Sequence, residues 1–186
     1  MMSITIRKEL LFMIAAGIIV VYALIKLKKV ARNAEKLFNF EECVRIMMFL
    51  YVIALVGITL FPVVIPPIEE PYQMDFVNWD IRNMFHFGSL RSLLVNVGGN
   101  VLMFVPLLPL VMLRWPKKRI SFLGAASISM TVSATIEALQ YAENILGISD
   151  FPIRITDVSD LVLNFIGGML GYGLIEFWKK FFEQKE

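Results

Sequence analysis

The sequence predicts an all-α polytopic bundle of about five membrane-spanning helices, and composition and segment length lead to it. Of 186 residues, 58% are hydrophobic and 18% charged, with a mean hydropathy of +0.69. Soluble domains average about 45–50% apolar and about 25% charged, and a chain this size has too little interior to hide the excess. Lipid as solvent removes the conflict. A spanning helix needs about 20 apolar residues, and Ile46–Ile65, Leu93–Leu113, Ile120–Ala142 and Val158–Trp178 each supply them. Ile46–Ile65 closes on Pro62, Pro66 and Pro67.

The remaining stretch, Leu10–Ile25, has 16 residues, extended if Lys26 snorkels. No small-residue cleavage site follows it, and it runs into Lys26, Lys28 and Lys29, so it reads as a retained helix rather than a signal peptide. Orientation follows from the Lys/Arg bias. With the N-terminus outside and the C-terminus inside, segments 26–45, 114–119 and 179–186 face inward and hold thirteen of the 18 basic residues. Residues 67–91 and 143–156 become external loops, the first rich in aromatic side chains. The chain divides into a first helix with its basic loop (1–44), a four-helix domain (45–180) and a short tail (181–186).

Several function classes fall away. A net charge of +2 is too small to argue for nucleic acid. Cys43 and His86 are the only cysteine and histidine, so one chain has neither a disulfide nor a Cys/His zinc site. No cofactor or metal site is implied.

Polar groups inside spanning helices are costly, about 2.5–3.5 kcal/mol for a charge at mid-helix, and three helices carry them. Asn96 and Asn100 lie four apart on the third. Glu137, Gln140 and Asn144 follow Ser129 and Ser133 on the fourth. Asp157, Asp160 and Asn164 precede Gly167, Gly168 and Gly171 on the fifth. Spacings of three and four place each set on one face. At 1.5 Å per residue these groups fall in one layer, about 5–12 Å below the outer surface. Arg154, and with it Arg82 or Arg91, reaches that layer from the external loops. Glu137 lies near the C-terminus of its own helix, where the dipole disfavours an anion, so it needs a proton, a cation or an arginine. Arg154 is the expected partner. Asp157 suits the N-terminus of the fifth helix as a cap. The glycine run suits close helix packing and the asparagines suit interhelical hydrogen bonds.

Three patterns carry a family resemblance. They are Asn96-Val-Gly-Gly-Asn100-Val-Leu-Met-Phe104-Val-Pro106, then Ser133-Ala-Thr-Ile-Glu137-Ala-Leu-Gln140, then Arg154-Ile-Thr-Asp157-Val-Ser-Asp160-Leu-Val-Leu-Asn164-Phe-Ile-Gly167-Gly168-Met-Leu-Gly171-Tyr172. In this order and separation the chain resembles the VanZ-like family of small bacterial membrane proteins over roughly residues 45–180. Leu108 stands where the family usually has glycine, and Phe76-Val-Asn78-Trp79 matches the family's stretch before the third helix poorly. The resemblance implies a multi-pass protein of the cell membrane. The founding member is associated with low-level resistance to teicoplanin, a lipid-bearing glycopeptide.

The expected site is therefore a polar outer-leaflet pocket of Glu137, Asp160, Arg154, Asn100, Asn164, Asn96, Gln140 and Asp157. It would hold the headgroup of a membrane lipid, a lipid-linked cell-wall precursor or a lipoglycopeptide, in a monomer or an oligomer. Two other readings share these residues: an intramembrane enzyme acting on a lipid-linked substrate, and a transporter or flippase subunit using Glu137 as a proton site. The enzyme reading is the weaker, because no nucleophile–base pair is visible. His86 and Ser89 lack an orienting partner, and Gly88-Ser89 is not a hydrolase elbow.

Overall fold

The computed structural model describes residues 4–33, 39–65, 77–82, 89–149 and 155–182. Of these, 79% are helical, and five helices are long and apolar enough to cross a membrane. They are α1 (Lys8–Asn33), α2 (Phe40–Thr59), α3 (Leu90–Arg114), α4 (Phe122–Ile145) and α5 (Val158–Phe182). Short strands β1 (Ile4–Ile6), β2 (Val63–Ile65), β3 (Val77–Asn78) and β4 (Thr156–Asp157) stitch one end of the bundle.

The first apolar stretch is longer than expected. The helix continues through Lys26, Lys28 and Lys29, good helix formers, and Lys8–Ala31 alone is 24 residues. Lys26 anchors it: its Nζ lies 2.6 Å from Oε1 of Glu42 on α2, which Tyr22 also reaches with its hydroxyl. The second helix is displaced from its expected bounds. It starts at Phe40, where the Asn39 side chain accepts from the Glu42 N–H and Glu42 reaches back to the Asn39 N–H, a reciprocal capping box. It stops at Thr59, ahead of Pro62, which has no N–H to continue the ladder and disfavours helix in the residue before it. Residues 63–65 instead form β2, antiparallel to β1, and Val63 bridges to Ser149.

α3 is irregular. Ser89 caps it by accepting from the Ser92 N–H, so its hydroxyl has a structural use. Leu94–Gly98 is a π turn, and a turn at Val105 and Pro106 interrupts the helix before Leu107. Pro106 and Pro109 each remove a backbone donor, which accounts for the break.

α5 is the centre of the packing. It lies against α4 on one side and residues 99–114 of α3 on the other, while α2 packs on residues 107–114 of α3 and α1 packs on α2. The approach of α5 depends on its glycines. A Cβ on Gly167 would stand 2.1 Å from the Val101 carbonyl oxygen, and one on Gly171 2.1 Å from that of Val105. The glycine run is thus a packing face. The apolar centre is formed by Leu55, Phe104, Leu107 and Ile136, with Tyr51 and Met103 against it.

Candidate functional site

The polar groups of α3, α4 and α5 gather at the end of the bundle where α2 and α4 finish and α3 and α5 begin. β3 pairs in parallel with β4, Val77 with Thr156 and Asn78 with Asp157, which lays residues 77–80 over the start of α5. Asp157 then accepts twice. Its Oδ1 takes the Ser159 N–H at 2.7 Å, capping α5 as expected, and its Oδ2 takes Nδ2 of Asn78 at 2.8 Å. The Asn78 amide is oriented by its own Oδ1, which accepts from the Asp80 N–H at 3.1 Å. Asn78 is a site residue that helical spacing could not reveal, because it sits in a loop.

Glu137 is 5% exposed, and its Oε2 accepts from the Asp157 backbone N–H at 3.1 Å. Judged by α4 alone, the helix dipole disfavours this carboxylate. The structure sets Glu137 against the N-terminal end of α5, where the neighbouring dipole and a free N–H favour an anion. Thr156 adds a bond from Oγ1 to the Glu137 carbonyl. The expected partner Arg154 lies outside the described residues, as does His86. Of the other two arginines, Arg82 is exposed and grips Asp80 through Nε and a terminal nitrogen at 2.9 Å each, and Arg91 is exposed on the first turn of α3.

Asp160, in the first turn of α5, accepts from the side-chain amide of Asn100, tying α3 to α5. Gln140 donates to the Thr59 carbonyl at 2.9 Å, satisfying one of the open carbonyls at the C-terminus of α2. Asn96 donates to Ser92 one turn back, on an exposed part of α3. Asn164 lies a turn deeper, 1% exposed, and donates to the Ser133 hydroxyl at 3.0 Å. It joins α5 to α4 behind the layer rather than within it. Two carboxylates and the amides of Asn78 and Asn100 thus meet at the start of α5, with Glu137 beneath them.

Asn96, Asn100, Gln140, Asp157, Ser159 and Asp160 line a cleft of about 970 Å³. That is the upper end of the range for ligand sites. Apolar side chains also line the cleft, with Ile58 on α2 and Val95 and Leu102 on α3. All three side chains are more than half exposed on the surface that would meet lipid. α2 packs most closely on residues 107–114 of α3, and the cleft opens between α2 and the first half of α3. Tyr51 donates to the Met103 carbonyl at 3.1 Å where the two helices come together, forming the floor.

Polar groups on α3, α4 and the start of α5 are where the three sequence patterns fall, and a family model described as VanZ/LLP1 matches residues 48–179. The chain belongs to the VanZ/LLP1 family. The match begins within α2 and ends within α5, so the cleft lies inside the VanZ/LLP1 region and α1 outside it. No curated protein and no solved structure matches this VanZ/LLP1 chain. With five spanning helices and this family, it is a multi-pass membrane protein of VanZ type.

Proposed function

We propose that this VanZ-type protein binds an amphiphile, holding its headgroup in the cleft at the start of α5 while its chain lies between α2 and the first half of α3. The observation that carries this reading is the mixed lining: amides and carboxylates together with aliphatic side chains exposed on the lipid-facing surface. A soluble ligand would gain nothing from the aliphatic side chains, and a bare hydrocarbon nothing from the polar ones. The positive-inside bias supports an outer-leaflet position for the cleft in the cell membrane. There it can meet a lipid-linked wall precursor or a lipoglycopeptide such as teicoplanin, and the family connection supports a contribution to resistance.

The test is susceptibility. Cells lacking the protein are expected to become more sensitive to teicoplanin by about fourfold, with the intact gene restoring tolerance and Asp160→Asn failing to do so at equal membrane abundance. Sensitivity that stays the same in all three strains contradicts the resistance reading.

A further inference from the structure

The acceptor surplus of the cleft specifies which headgroup it takes. Asp160 receives one hydrogen bond, from Asn100 to Oδ1, and its Oδ2 receives none. A carboxylate has room for about four donors. Next to it, Ser159 lines the cleft at 3% exposure, and its Oγ has no hydrogen-bond partner. Buried hydroxyls without partners are uncommon. Of the unpartnered buried polar atoms among the described residues, this is the one on a residue that lines the cleft.

Charge points the same way. Asp157, Asp160 and Glu137 are neighbours, and among the described residues none of them forms an ion pair. Glu137 is buried and Asp157 and Asp160 are half-buried, and like charges gathered this closely without a cation repel one another. Among the described residues no three His, Cys, Asp or Glu side chains converge as a metal site would require. The aliphatic mouth formed by Ile58, Val95 and Leu102 admits a hydrocarbon chain alongside the head.

We infer that the cleft binds amphiphiles bearing a primary ammonium headgroup, which donates to Asp160 Oδ2 and Ser159 Oγ beside Asp157 while its chain leaves between α2 and α3. An ammonium has three donors and one positive charge, which this wall can use together. The inference rests on the amphiphile-binding reading above and adds the headgroup class to it.

Native mass spectrometry of the full chain, released from dodecyl maltoside micelles at pH 7, tests it with three probes sharing one chain: tetradecylamine, N-acetyl tetradecylamine and tetradecyl phosphate. The amine is expected to bind at concentrations at least about tenfold lower than the amide or the phosphate. Asp160→Asn should abolish that preference while amide binding remains. Ser159→Ala, which removes a hydroxyl with no internal partner, should reduce it about threefold in a fully folded protein. Equal binding of amine and amide overturns the headgroup class and leaves the amphiphile reading standing. A preference for the phosphate overturns it in favour of a cationic wall. No binding of any probe overturns both.

Discussion

Alanine at Gly167 is expected to lower the stability of the bundle by about 1–3 kcal/mol, the range for overfilling a close-packed interior. The new methyl would lie 2.1 Å from the Val101 carbonyl oxygen, 2.9 Å from its carbon and 3.0 Å from the Phe104 Cβ. Backbone cannot step aside as a flexible side chain can, and Phe104 is fully buried. Relief has to come from moving α5 off α3, which also separates Asp160 from Asn100. Gly171→Ala meets the Val105 carbonyl in the same way. Because both press on one contact, the double variant should cost less than the sum of the two. Gly173→Ala is the control: nothing lies within 4 Å of its added Cβ, and alanine's better helix propensity should leave stability equal or slightly higher. Denaturant unfolding in detergent micelles reads all of these. Equal stability of the Gly167→Ala and Gly173→Ala variants would show that α3 and α5 do not approach closely enough at Gly167 to exclude a methyl group.

Replacing Glu137 is expected to separate two roles. Glu137→Leu removes the acceptor of the Asp157 N–H and leaves that donor unpaired at the start of α5, at a cost of about 1–3 kcal/mol. Since Asp157 also holds Asn78 and the Ser159 N–H, the loss should spread to β3 and to the cleft wall, and amphiphile binding should fall at least tenfold. Glu137→Gln keeps a carbonyl oxygen in the same place. It should retain most of the stability and bind within about threefold of the parent, because Glu137 acts through Asp157 from behind the cleft. A Glu137→Gln variant that is stable but inactive would point instead to the carboxyl proton itself, as a proton-coupled carrier requires.

Much of this arrangement is legible in the sequence. Spacings of three and four identify the polar faces, and counting residues from the helix ends places Asn100, Glu137 and Asp160 at one depth. Asp160 with Asn100, and Glu137 with Asp157, then meet as that arithmetic requires. What escapes it has physical causes. Asn78 sits on an irregular segment with no period, and only the pairing of β3 with β4 brings it to Asp157. The partner of Glu137 is a backbone N–H from another element, and side-chain identities do not reveal such partners. Asn164 shares the face of Asp160, but one further helical turn buries it against Ser133. The opening between α2 and the first half of α3 follows from the tertiary course of two helices whose apolar patterns look alike.

On this account the ligand reaches the polar wall from the lipid, between α2 and the first half of α3. The direct test is to close that mouth. In a Cys43→Ser background, Ile58→Cys and Val95→Cys place one thiol on each side of it, and a short bis-maleimide bridges them. The bridged protein is expected to stay folded and lose amphiphile binding by at least about tenfold, while the same double variant capped with two single maleimides keeps it. Undiminished binding in the bridged protein would contradict lateral access through this cleft.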